Sequence, residues 1–209
     1  MDRIELLAEF ILQSDLIEGI KDSRDDLEEE IMLKKQDGYA GAILYLESLA
    51  ENKNHFLTEA DIKKVQGWIT EEQGEKRPDL RLRPEWIGNY RNIGVRVGER
   101  ICPDYSKAPG LMKNLVLQIQ EWQKRQPSLT EEQNIFTIAD FYFDFEIIHP
   151  FVDGNGRTGR AIVFYLMRYL GRDPFIFTDE EKYWMHFPAL KSQERLAMRK
   201  YFYQKSGLI

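Results

Sequence analysis

Apolar residues recur at steps of three and four along most of the chain, the spacing that gathers side chains on one face of an α-helix. With good helix formers between them, these steps predict helices over residues 3–13, 25–36, 39–52, 59–71, 108–125, 131–148, 156–171 and 180–205. The predicted fold class is mainly α. Two helix starts carry a reciprocal cap, Thr58 with Asp61 and Thr130 with Gln133, in which a hydroxyl and a side chain three residues on satisfy free amides. One stretch alternates instead: Ile93, Val95 and Val97 are interleaved with Gly94, Arg96 and Gly98, followed by Glu99-Arg100-Ile101 and stopped by Pro103. That pattern predicts a short β-hairpin. No repeat, low-complexity tract or Gly/Ser-rich linker interrupts the sequence.

Composition narrows the class. A chain of 209 residues, 43% hydrophobic and 31% charged, has enough apolar material for one globular core. The apolar run from Ala161 to Met167 stops at Arg168, far short of the roughly 18 residues a membrane span needs. Carboxylates at Asp2 and Glu5 sit where a signal peptide needs a basic start, and the single Cys102 forms no intrachain disulfide, so a cytoplasmic protein is expected. A net charge of −6 argues against nucleic-acid binding by bulk electrostatics. The charge is unevenly spread: residues 1–30 hold 11 acids and 3 bases, whereas Lys76 to Arg100 also contains Arg77, Arg81, Arg83, Arg91 and Arg96. Either both are solvated faces, or the acidic segment docks on a basic region of its own chain.

Candidate chemistry concentrates in His149-Pro150-Phe151-Val152-Asp153-Gly154-Asn155-Gly156-Arg157-Thr158-Gly159-Arg160. Ile135, Ile138, Tyr142, Phe145 and His149 share one helix face, and Pro150 ends that helix, leaving the imidazole at its terminus. The Gly-rich loop brings closely spaced amides to the start of the next helix, where anions bind. Arg157 and Arg160 in that first turn have the wrong sign for the helix dipole unless an anion sits there. Guanidinium forks suit phosphate oxygens, and Asp153 suits a Mg²⁺ ion that also takes waters and substrate phosphates. Other motifs fail. Gly154-x-Gly156-x-x-Gly159 lacks the strand a dinucleotide fingerprint requires, Arg160-Ala161 replaces the Lys-Ser/Thr of a P-loop, and Phe164 stands where an EF-hand needs Glu.

The segment from His149 to Arg160 resembles the signature of the Fic family, His-Pro-Phe-x-Asp/Glu-Gly-Asn-Gly-Arg-x-x-Arg, at every fixed position. A looser likeness extends over roughly residues 85 to 171. It implies a Fic-type helical core with the hairpin as a flap that docks a protein target near Ile93–Ile101. It also implies transfer of AMP from ATP, with Mg²⁺, to a hydroxyl on that protein. His149 would be the general base, Asp153 the metal ligand, Gly154, Asn155 and Gly156 the phosphate cradle, Arg157 and Arg160 the clamps on the outer phosphates, and Phe151 a core anchor. Ser14-Asp15-Leu16-Ile17-Glu18-Gly19 resembles the family's inhibitory motif, Ser/Thr-x-x-x-Glu-Gly. In that likeness Ser14, Glu18 and Gly19 belong to an inhibitory helix whose Glu18 pairs with Arg160. Residues 1–36 then form the amino-terminal segment and 37–209 the catalytic domain.

Departures from the family pattern qualify the expectation. There is no room after the core for a winged-helix domain, so autonomous DNA binding is not expected. Tyr183-Trp184 and Ala189-Leu190 stand where relatives often carry paired Tyr residues and an Ala-Asn step; the two aromatics either border the base or belong to the core. Transfer of another nucleotide, removal of AMP with Glu18 activating water, and a nucleotide-binding module without catalysis are the alternatives, and self-association is left open.

Overall fold

The structure is a computed structural model that describes residues 1–76, 82–192 and 194–208. Nine α-helices follow in order among these residues: α1 (Arg3–Ile17), α2 (Arg24–Met32), α3 (Gly38–Glu51), α4 (Glu59–Lys76), α5 (Ala108–Arg125), α6 (Glu131–Ile148), α7 (Asn155–Tyr169), α8 (Phe187–Lys191) and α9 (Arg195–Lys205). Strands β1 (Arg96–Val97) and β2 (Arg100–Ile101) form an antiparallel hairpin between α4 and α5. The protein is mainly α with a small β-hairpin, and no described helix is long and apolar enough to cross a membrane.

The helix starts follow local chemistry. Thr130 and Gln133 exchange side-chain-to-amide bonds of 3.2 and 2.9 Å, and Thr58 and Asp61 do the same at 3.2 and 2.8 Å. Asp2 and Glu5 form a third capping box that opens α1. That helix runs four residues past the predicted end at residue 13, which places Ser14 and Asp15 inside it and Glu18 at its C-cap. It stops because Gly19 takes φ +74°, and the amides of Gly19 and Ile20 return to the carbonyls of Leu16 and Asp15, both at 2.9 Å. A glycine accepts this left-handed conformation without steric cost.

Helix α7 is the axis. Ala161, Ile162, Phe164, Tyr165 and Leu166 on it are fully buried, with α3, α4 and α6 around it. Residues 1–36 share that core: Leu7, Phe10, Ile11, Leu27 and Ile31 join the same apolar cluster, and the rings of Phe10 and Phe164 lie 5.2 Å apart. The carboxy-terminal region departs from the single predicted helix over 180–205. It holds a π-type turn (Lys182–His186), then α8, then α9 after Ser192. Thr178, Asp179 and Glu181 spend side chains on local bonds, and Pro188 opens α8 by withholding an amide.

Two expectations about residues outside the loop are corrected. Tyr183 and Trp184 are not core: they are 66% and 83% exposed, because the π-type turn rotates them outward while Lys182 and His186 face in. Among its described residues, the basic segment does not receive the acidic amino terminus as a block. Arg91 and Arg100 turn toward α6, Arg83 pairs with its neighbour Glu85, and Lys76 reaches back to Asp22 at 2.8 Å. Arg77 and Arg81 lie outside the described residues.

Candidate active site

The face of α6 read from sequence is buried, with Ile135, Ile138, Tyr142 and Phe145 all at 0% exposure. His149 caps that helix in the left-handed region, φ 49° and ψ 63°, a costly conformation for a residue with a Cβ. Three contacts hold it. Its amide donates to Phe145 O at 2.9 Å, its carbonyl accepts from Arg91 Nε at 2.8 Å, and Arg91 N donates to Pro150 O at 2.8 Å. Arg91 is itself buried and also donates to Ile93 O, so it stitches the hairpin segment to the end of α6. Arg100 completes the seam, donating to the carbonyls of Ile147 at 2.8 Å and Glu146 at 2.9 Å. Cations at a helix carboxy terminus meet carbonyls that have no intrahelical partner.

Burial, with the positive charges of Arg100 and Arg91 second and third, pushes the His149 imidazole down to about 4. The ring is therefore neutral near pH 7 and able to accept a proton.

The loop after His149 is locked from inside. Phe151 is fully buried against the rings of Tyr90 and Phe145, as a core anchor should be. Asn155 closes the loop with two bonds to Phe151, accepting from its amide at 2.9 Å and donating to its carbonyl at 3.0 Å. The Asn155 side chain is thus a staple, and what remains for an anion there is its main-chain amide. Gln66 on α4 donates to Asp153 O at 3.1 Å and accepts from Gly88 N at 2.6 Å, tying the loop to a second segment. Gly154 has φ +75°, and a Cβ there would meet Thr70 Cγ2 at 2.7 Å. Nothing caps the start of α7 with a side chain, so its first amides point outward.

Asp153 presents a half-buried carboxylate beside these amides; one oxygen accepts from Gly154 N at 2.6 Å and the other from Gln73 Nε2 at 3.4 Å. No three metal-ligating side chains gather among the described residues. The donor set still fits Mg²⁺ that arrives with a nucleotide, since that ion takes one or two carboxylates and fills its shell with waters and phosphates.

Ser14, Glu18 and Arg160 are brought together across 142–146 residues of sequence. Arg160 is 1% exposed; its Nε donates to Ser14 Oγ at 2.8 Å, and one terminal nitrogen donates to Ser14 O at 2.9 Å and to Glu18 Oε1 at 2.7 Å. Glu18 lies over Gly156, so that a Cβ on this glycine would fall on its carboxylate oxygen. Burial raises the Glu18 carboxyl, but the charge and hydrogen bond of Arg160 outweigh it and hold the group below its ordinary value. A carboxylate therefore occupies the anion cradle at the start of α7.

Sequence reasoning missed several contributors. Asp15, 2% exposed, faces Arg157 with its Oδ1 3.7 Å from a guanidinium nitrogen, and burial raises its carboxyl well above the usual range despite that neighbour. Tyr39 bridges Ser14 Oγ at 2.8 Å and Arg157 O at 3.2 Å. Glu146, one turn before His149, is buried beside it. Asp15 precedes Glu18 by three positions and Glu146 precedes His149 by three, so helical spacing could have found both.

Comparison with known proteins identifies the family. The profile of the Fic/DOC family matches residues 56–167. "Protein adenylyltransferase Fic" of Culex quinquefasciatus is 27% identical over 146 residues, which cover 70% of this chain and 26% of that protein. The protein of the same name from Drosophila melanogaster is 33% identical over 109 residues, 51% of this chain and 21% of that one. The chain thus spans about a quarter of the length of these curated relatives. Among solved structures, a Fic domain containing signaling protein from Bacteroides thetaiotaomicron superposes with a TM-score of 0.74 at 19% identity, covering 97% of this chain and 83% of that one. Fic-1 from C. elegans gives 0.71 at 18% identity, covering 99% and 63%. With the family profile matching more than half of its residues, this chain belongs to the Fic/DOC family.

Proposed function

We propose that the protein is a self-inhibited protein adenylyltransferase that moves AMP from ATP to a Ser, Thr or Tyr hydroxyl of a protein. The observation that carries this reading is the Glu18 carboxylate on Arg160 and over Gly156, a stand-in for a phosphate whose charge reaches His149. The curated relatives named protein adenylyltransferase support the chemistry.

In this reading the amides of Asn155 and Gly156 and the guanidinium groups of Arg157 and Arg160 hold the phosphates, and Asp153 holds the Mg²⁺ that neutralises their charge. The target hydroxyl loses its proton to Nε2 of His149 while its oxygen attacks the α-phosphorus, and the bond to the β-phosphate oxygen breaks. Pyrophosphate leaves with the outer phosphates. Glu18 competes with the γ-phosphate for Arg160, so a nucleotide bound beside it is poorly aligned for in-line attack.

The hairpin supplies the proposed protein dock. Cys102 N donates to Val95 O at 3.2 Å, and Arg96 pairs with Ile101 and Val97 with Arg100. Ladder alternation then turns the main-chain groups of Arg96 and Ile101 outward, one on each edge, where an extended segment can add. Ile93, Val97 and Ile101 leave apolar surface exposed there, at 40%, 41% and 79%.

The direct test is the intact mass of the Glu18→Gly protein after incubation with Mg²⁺ and each nucleoside triphosphate. An AMP increment with ATP, absent when His149→Ala is added, is expected. An increment from another nucleotide would reassign the donor. Absence of any increment on the protein and on lysate proteins would overturn the reading.

A further inference from the structure

Proton transfer to His149 engages one ring nitrogen and leaves the other to be explained. Nδ1 is buried without a hydrogen-bond partner, and the acidic oxygen nearest to it is Oε2 of Glu146 at 3.9 Å. The Glu146 side chain is only 10% exposed, and its Oε1 is also buried without a partner. Packing fixes it there: a Cβ on Gly159 would meet Oε1 at 3.0 Å, so α7 presses directly on the carboxyl group. An unpaired carboxylate in such a place costs several kcal/mol, and a packed apolar side chain would avoid that cost. A buried ring nitrogen without a partner and, one helical turn away, a buried carboxyl group whose Oε2 faces it point to a second state in which they pair.

We propose, building on the transfer reading above, that Glu146 is the positioning residue of His149. Its carboxylate keeps the ring proton on Nδ1, which leaves Nε2 free as the base. When Nε2 takes the target's hydroxyl proton, the Nδ1–H of the resulting imidazolium donates to Glu146, and the gap closes by about 1 Å to hydrogen-bond length. The carboxylate stays ionised; the proton gained leaves later from Nε2.

The other charged and titratable groups facing the pair are Arg91 and Arg100 from the hairpin segment, Glu18 from α1, Arg160 from α7 and Tyr142 on α6. Burial is the main cause that raises Glu146 to about 7 and lowers His149 to about 4. Near neutral pH the imidazole is thus neutral beside a carboxyl that is partly ionised. Arg160 is the rival partner for Glu146, but its hydrogen bonds go to Ser14 and Glu18.

The experiment uses the full chain carrying Glu18→Gly, with Glu146→Gln or Glu146→Leu added. Gln keeps an acceptor and removes the charge; Leu removes both. Nitrogen-15 shifts of the His149 ring, assigned with His149→Ala, report its tautomer and titration, while kcat and KM for ATP are followed against pH. Glu146→Gln should keep the Nδ1–H tautomer, lower kcat roughly tenfold or more at about pH 8, and remove the rise in kcat near pH 7. KM for ATP should stay within about twofold, since the phosphate contacts lie elsewhere. Glu146→Leu should mix the two tautomers. An unchanged His149 tautomer and titration in the Leu variant would overturn the proposal whether or not the enzyme is active. A raised KM at constant kcat would overturn it too, assigning the carboxylate to Arg160. If the Glu18→Gly parent transfers nothing, the transfer reading fails, and the ring spectra still decide the pairing.

Discussion

Replacing Glu18 with Gly should make the free protein less stable and should enlarge the stabilisation that ATP gives it. The substitution removes a charged hydrogen bond of 2.7 Å between a side chain 37% exposed and one 1% exposed. Cutting one partner from a fully buried ion pair costs about 3–5 kcal/mol, mostly from the charge left behind. Here Glu18 is partly solvated and Arg160 keeps its two bonds to Ser14, so a smaller loss of about 1–2 kcal/mol is expected. For a chain of 209 residues that lowers Tm by about 2–8 °C. The freed guanidinium gains a phosphate, and a roughly tenfold tighter Kd, about 1.4 kcal/mol, follows from one recovered charged hydrogen bond. At an ATP concentration far above both Kd values the variant should recover about 3–6 °C more than the parent does. Thermal unfolding with and without Mg²⁺ and ATP, beside calorimetric titration, measures both halves. An unchanged ATP-dependent shift together with an unchanged Kd would refute the competition, however much the apo protein is destabilised.

Other outcomes follow from the same geometry. His149→Ala in the Glu18→Gly protein should cut AMP transfer by about 10²–10⁴-fold while calorimetry shows ATP affinity largely kept, because the phosphate contacts lie on α7. Gly159→Ala should destabilise the fold by about 1–3 kcal/mol in denaturant titration, since its Cβ would sit 3.0–3.1 Å from Glu146, Tyr142 and Phe145 on α6. Glu146, raised to about 7 from an unfolded value of 4.5, favours the fold most below about pH 4.5 and loses that contribution as pH rises through 7, so Glu146→Gln should stabilise the protein at about pH 8 and do little at about pH 4. Arg96→Pro and Ile101→Pro each remove an outward amide without touching the pairing inside the hairpin, and one of them should slow modification of a protein target by roughly tenfold with ATP affinity intact; loss of both together would mean a collapsed hairpin.

The parts legible from sequence were those written in local pattern. Helix faces such as Ile135, Ile138, Tyr142 and Phe145, the caps at Thr58 and Thr130, and the stop at Pro150 depend on neighbours within one or two turns, and the structure has them all. The contiguous loop from His149 to Arg160 was legible for the same reason. What was not legible depends on partners far away in sequence. Arg91 looked like one cation among several, and only the fold shows its guanidinium and amide on the carbonyls around Pro150. Asn155 was expected in the phosphate cradle, where its main-chain amide remains, and only the fold shows its side-chain amide spanning back four residues to Phe151. Tyr183 and Trp184 carried helical apolar spacing, but a π-type turn alters the period and so moves both rings to the surface.

The two helix ends that meet at this pocket are each wrong when taken alone. Helix α1 finishes with a carboxylate at its negative end and α7 begins with two arginines at its positive end, placements that cost some tenths of a kcal/mol apiece. Facing each other, the two ends compensate: the Glu18 carboxylate lies on Arg160, the buried Asp15 carboxyl group faces Arg157, and Lys182 donates to Ile17 O at 3.2 Å at the end of α1. Both guanidinium groups are buried, 4% and 1% exposed, so neither can rely on water for its counter-charge. An anion is needed at Arg160 in every folded state, and the choice lies between the Glu18 carboxylate and the phosphates of a nucleotide. Inhibition, on the proposed reading, is therefore not a separate device added to a finished site. It is the resting solution to the electrostatic requirement that makes the site bind phosphate.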